Sequence, residues 1–154
     1  MTFEELLSSA GSLTQPSEKS TAEFRDKSEQ IASELNRRMS LRPDLERLVG
    51  AENLLMMEDN SRNMTRFLGS LFNNFQPRIL VETVRWVFRA YRSHGFELTF
   101  WSANLDTALE VLKDTVSTET YDELYSHFEW LIIHIPDFVH LSDADLSKPG
   151  RIQV

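Results

Sequence analysis

The sequence predicts an all-α protein, and three observations carry that expectation. Apolar residues recur at intervals of three and four over most of the chain. Capping-type residues, glycines and prolines fall between these stretches at helix-length spacing. Only 5 Gly and 5 Pro occur in 154 residues, too few for a β fold built on many tight turns, and no segment alternates as a strand does. A chain of this length can bury one substantial core, so one main domain is expected.

The elements follow in order. In "MTFEELLSSAGSL", Thr2 and Glu5 have capping-box spacing, Phe3, Leu6 and Leu7 form a stripe, and Gly11 ends a short helix. A polar linker follows, so residues 1–16 read as a helix and linker ahead of a helical domain over 17–136. The first helix of that domain is expected to be long, 17–39, with Ser20 and Glu23 as its capping box and Phe24, Ile31, Leu35 and Met39 as its stripe. Pro43 suits the first turn of a short helix that Gly50 closes. Residues 51–75 place Leu54, Met57, Met64, Phe67, Leu68, Leu71, Phe72 and Phe75 on one broad face. Pro77 then forces a corner at Gln76, and a helix over 77–93 ends at Gly95. Residues 100–116 bury Trp101, Leu105, Leu109, Leu112 and Val116. The last helix runs from 118 to 135 and stops at Pro136, leaving 137–154 as a mostly irregular acidic tail.

Charge divides the chain unevenly. Asp114, Glu119, Asp122, Glu123, Glu129, Asp137, Asp143 and Asp145 lie between 114 and 147 with no Lys or Arg among them, so this segment matches the whole chain's net charge of −8. Such acidity argues against binding to a nucleic-acid backbone. No run reaches the roughly 18 apolar residues of a membrane span, and no secretory leader pattern opens the chain, so a cytoplasmic protein is expected. The absence of cysteine excludes disulfides, thiolate metal sites, cysteine nucleophiles and thioether-linked cofactors. There is no P-loop and no H-E-x-x-H, and no Ser–His–Asp set can be argued from proximity in sequence. A non-enzymatic protein without cofactor or metal is the expectation.

The most patterned stretch is "LVETVRWVFRAYRSHGF". Arg78, Arg85, Arg89 and Arg92 fall within a roughly 60° arc of one helix, opposite Val84, Val87, Phe88 and Tyr91. Three uses fit them: a solvated face with Glu82 pairing along the helix, a contact with the acidic 114–147 segment within the fold or across a dimer, or a bound anion. Arginine suits the second use because its planar fork meets a carboxylate at two points. On the last helix His127, Trp130 and His134 share a face with Glu123, away from Tyr121, Phe128 and Ile132. That pattern implies two covered faces rather than a metal site, because His127 and His134 stand about 10.5 Å apart along the axis. Trp130 is accordingly expected as an apolar anchor of an interface with Arg78, Arg85, Arg89 and Arg92 around it.

The segments "NLLMMEDNSRNMTRFLGSLFNNF", "RILVETVRWVFRAYRSHGF" and "YDELYSHFEWLIIHIPDF" resemble, in their order, the globin-like helical domains of bacterial signalling proteins. Within that group the resemblance is to the non-haem globin-like N-terminal domain of stressosome co-antagonists, over about residues 45–140. It implies a globin-like bundle of five to seven helices, a homodimeric input module, no haem and a partner protein in signalling. Phycobiliproteins share the globin fold but attach bilins through cysteine, which is absent here. The expectation is therefore a dimeric signalling or interaction protein that senses a small apolar ligand between the helices of 51–116. The alternative is a haem-binding globin for gas sensing or transport, with His94 or His127 as iron ligand.

Overall fold

Thr2 opens the first helix, α1 (Phe3–Ala10), with the expected capping box: its hydroxyl accepts from the Glu5 amide at 3.1 Å and Glu5 accepts from the Thr2 amide at 3.3 Å. A computed structural model describes residues 1–147, and among these nine α-helices, one 3₁₀ turn and no strand are present. The chain is all-α, with more helices than the five to seven expected.

The extra helices have local causes. The segment 17–39 is two helices, α2 (Glu18–Asp26) and α3 (Ser28–Ser40), broken at Lys27. Lys27 leaves helical geometry and sends its ammonium to the Thr115 carbonyl at 3.0 Å, while Ser28 Oγ donates back to the Arg25 carbonyl. At the break the Ser28 hydroxyl serves the Arg25 carbonyl, while Lys27 ties it to the end of α7. The N-cap of α2 is Ser17, whose hydroxyl accepts from the Ser20 amide, so the expected box of Ser20 with Glu23 is not formed.

After α4 (Leu45–Val49), Gly50 turns the chain with φ +89° into a 3₁₀ turn, Ala51–Asn53, and then α5 (Leu54–Asn73). Helix α6 (Pro77–Ser93) starts on Pro77 and ends at the corner where Gly95 takes φ +97°. Helices α7 (Thr99–Thr115) and α8 (Thr118–Ile133) follow as expected.

The expected irregular tail is corrected over 135–146, which form α9 (Ile135–Leu146). Pro136 lies in the first turn of α9, where its missing N–H removes no helical bond, so it starts a helix as well as ending one. Phe138 and Leu141 bury in the shared core, and α9 lies along α6. The remainder of that tail, 148–154, lies outside the described residues.

Helix α3 packs on α5 and α7, α8 on α7 and α2, and α6 on α9 and α1. Leu6 and Ala10 of α1 join the same core as Phe72, Phe100 and Leu124. Residues before 17 and the described residues after 136 thus pack into the same core as 17–136, and the boundary read at 136 falls inside α9. Among the described residues no helix is long and apolar enough to cross a membrane.

Candidate functional site

The arginines of α6 form a seam with α9. Arg85 holds Asp145 at two points, 2.9 and 2.8 Å, with the carboxylate side chain only 8% exposed. This pairing keeps the Arg85 guanidinium above its ordinary pKa. Arg92 Nη1 donates to Asp143 and to Ser142 Oγ, both at 2.6 Å, and to the Val139 carbonyl at 3.3 Å. Arg78 is exposed and meets Glu82 one turn away, and both Arg78 and Arg85 lie over the Phe3 ring at 5.8 and 5.5 Å. Arg89 is half-buried, and its Nε is buried without a hydrogen bond. Of the three readings, contact with the acidic segment is realised within one chain by Arg85 and Arg92. Arg78 keeps the solvated reading.

Trp130, expected as an interface anchor, is 6% exposed and packs within the chain. Its indole donates to Ser9 Oγ at 3.0 Å and its ring lies 4.5 Å from His134 and 6.0 Å from Phe138, so what it anchors is α1. Around it runs a chain of contacts that sequence distance conceals. Ser9 Oγ lies 3.3 Å from His134 Nε2, His134 Nδ1 lies 2.8 Å from Asp137 Oδ2, and Asp137 Oδ1 receives the N-terminal ammonium at 3.1 Å. Because a carboxylate only accepts, the neutral ring carries its proton on Nδ1 and Nε2 accepts from Ser9.

The contact order is that of a Ser–His–Asp triad, set at a buried corner of the fold. His134 is 8% exposed, and the Trp130 N–H already donates into the Ser9 oxygen that would have to attack. The cluster clasps α1 to the α8–α9 corner.

His127 has both faces covered, in line with its position beside Trp130. It is 3% exposed, with its ring edge-on to Phe72 and Phe75 and its Nε2 proton on the Thr14 carbonyl at 2.9 Å. Burial pushes its pKa below the ordinary value against the pull of that carbonyl, so the ring is held neutral. His94 is exposed at the end of α6, and its carbonyl accepts from Asn53 Nδ2 at 2.8 Å.

A further feature was written in the sequence and not read. Ser17–Ser20–Glu23 and Ser117–Thr120–Glu123 repeat one spacing 100 positions apart, on the first turns of α2 and α8. The two helices exchange carboxylates. Glu123 takes the Ser17 amide and hydroxyl at 2.8 Å each, and Glu23 takes the Ser117 amide at 3.0 Å and hydroxyl at 2.8 Å. With Lys27 as the largest influence and Thr120 and Ser117 behind it, the Glu23 carboxyl is held down at about 2.

Beneath this clasp lies a cavity of about 70 Å³, reached by side chains of α2, α3, α5, α6, α7 and α8. Phe24, Ile31, Leu68, Val87, Phe88, Leu112, Phe128 and Leu131 supply its apolar wall, and Ala108 leaves part of the space. The polar lining comes from Asn60, Ser61 and Thr65 on α5 and from Trp101 and Asn104 on α7. On α5, Thr65 donates to the Ser61 carbonyl at 2.7 Å and Ser61 to the Met57 carbonyl at 3.3 Å, so both hydroxyls are satisfied within their own helix. On α7, Trp101 Nε1 and Asn104 Nδ2 are buried and have no hydrogen-bond partner. Neither residue stood out in the sequence, where Trp101 read as ordinary core.

No protein-family model, curated protein or solved structure shows significant similarity to this chain. Among the described residues no three acidic, histidine or cysteine side chains gather as a metal-binding group.

Proposed function

We propose that this chain is a non-enzymatic, globin-like sensor domain of the cytoplasm, which binds a small, mostly apolar ligand between its helices without haem. The observation that carries the reading is the cavity of about 70 Å³ bordered by six helices, a space several times that needed for one water. It is far below the roughly 300–1,000 Å³ of pockets that take drug-sized ligands, so a molecule of few atoms suits it. No histidine lines it: His127 is engaged with Thr14, and His94 lies at an exposed helix end. That placement favours the haem-free reading over the globin with an iron ligand.

Helix α6 connects the cavity to the outside. Val84, Val87 and Phe88 line the space, while Ile79 and Trp86, two turns apart, are 40% and 45% exposed on its outer face. A ligand that favours one packing of α6 therefore alters the surface that Trp86 presents. Since Arg85 and Arg92 pair within the chain, homodimer formation or docking of a signalling partner falls to the Ile79–Trp86 face.

Xenon tests the reading, because it enters apolar cavities without requiring any polar contact. A crystal pressurised with xenon should show the gas among Val87, Leu112 and Phe128. Xenon absent from that space, or a sharp Soret band after haemin addition that is lost in His127→Ala, overturns it.

A further inference from the structure

The two unpartnered donors of α7 say what kind of molecule the cavity takes. Trp101 and Asn104 stand one turn apart on the same helix face, both line the cavity, and they are 4% and 8% exposed. A buried N–H without a partner carries its full desolvation cost, whereas an oxygen placed between two such groups satisfies both. On the opposite wall Asn60, Ser61 and Thr65 of α5 also line the cavity, and none of them accepts from Trp101 Nε1 or Asn104 Nδ2. The Trp101 indole is also fixed in place: its ring stacks on Phe88 at 4.4 Å and meets Phe100 edge-on at 5.0 Å, so the N–H direction is set before any ligand arrives.

Charge is excluded by the same lining. Among the described residues no Lys, Arg, His, Asp or Glu lines the cavity, and an ion taken into it would be desolvated without a counter-charge from them. Resting on the sensor reading above, we propose that the ligand is a neutral compound of few atoms with an apolar body and one hydrogen-bond-accepting oxygen, such as a carbonyl. That oxygen receives the Trp101 Nε1 proton and the Asn104 amide proton. The apolar body lies toward Ile31, Val87 and Leu112.

Acetone and isobutene form the test pair, because they share a shape and differ in C=O against C=CH₂. Each is titrated into the intact protein while the three indole N–H resonances are followed by NMR. Trp130, bonded to Ser9, and the exposed Trp86 act as internal references. Acetone should move the Trp101 resonance downfield in a saturable manner and leave the other two in place. In Asn104→Leu, acetone should bind about tenfold more weakly while isobutene changes by less than about threefold, the difference expected for one lost hydrogen bond. Isobutene binding with no Trp101 shift by acetone would overturn the acceptor proposal and leave the sensor reading standing. If neither probe binds and xenon also stays out, both fall. The wild-type resonances decide the matter even where Asn104→Leu does not fold.

Discussion

His127 gives its Nε2 proton to the Thr14 carbonyl and lies between two phenylalanine rings, an environment with no place for a second charge. Its folded-state pKa is below the ordinary 6.5, so the unfolded chain binds the extra proton first. The stability it contributes is complete above pH 6.5 and falls as pH drops from there toward the folded value. Thermal midpoints measured between pH 8 and 5 should decline below about 6.5, and His127→Gln should flatten that slope. Glu23 acts in a separate window. Its carboxyl moves from 4.5 to about 2 on folding, so its contribution is present above pH 4.5 and lost as pH falls through 2. Glu34, held at about 2 by Arg37 and Arg38, shares that window, so Glu23→Gln should reduce the acid transition without abolishing it. At Ser9, a diagnostic outcome separates clasp from nucleophile. A fluorophosphonate reagent should leave Ser9 unlabelled, while Ser9→Ala should cost about 1–3 kcal/mol by stranding the Trp130 N–H. Labelling that disappears in His134→Ala would show a working triad instead.

Helix α9 is attached to α6 by the buried Arg85–Asp145 pair, the hydrogen bonds of Arg92 and an apolar strip. Asp145 is 6% exposed, so removing Arg85 strips a buried carboxylate of a two-point charge-assisted contact. Loss of one member of such a pair costs about 3–5 kcal/mol, more than an exposed pair such as Arg78 with Glu82 contributes. Arg85→Met should therefore lower the thermal midpoint and speed amide exchange across 135–146, whereas Arg78→Met should change neither. The same seam predicts the result of Arg85→Glu combined with Arg89→Glu: α9 loosens, and sedimentation of the remaining folded protein keeps the wild-type state. A shift from dimer to monomer with α9 still protected would place these arginines between subunits.

Across the whole molecule, the cavity and the reciprocal carboxylates of α2 and α8 are joined through Phe24, which lies on the clasped helix and lines the space. Filling that space from the opposite wall tests its meaning. Ala108→Val adds two methyl groups where the lining leaves room, so the thermal midpoint should hold or rise while xenon uptake is lost. A fall of many degrees would mean that the wall is packed too tightly to act as a ligand site. Chelators should leave the unfolding transition unchanged, since no acidic or histidine cluster among the described residues has the makings of a metal site.

Elements whose signals are local were legible in the chain itself. The Thr2–Glu5 capping box, the Pro77 start of α6, the corner at Gly95 and the extents of α7 and α8 follow from spacing, because each depends on residues within a few positions of one another. The acidic segment facing arginine was visible as a charge imbalance, and tertiary packing decided that Arg85 and Arg92 meet it in the same chain. At the break Lys27 meets a carbonyl 88 positions away at Thr115, and α9 packs on α6 with Phe138 and Leu141 buried, contacts that no local pattern announces. Trp130 reads as an interface anchor until Ser9 arrives from 121 positions away. The cavity is the extreme case: it is a gap among six helices, and whether a Trp or Asn finds a partner is fixed only when all six are in place.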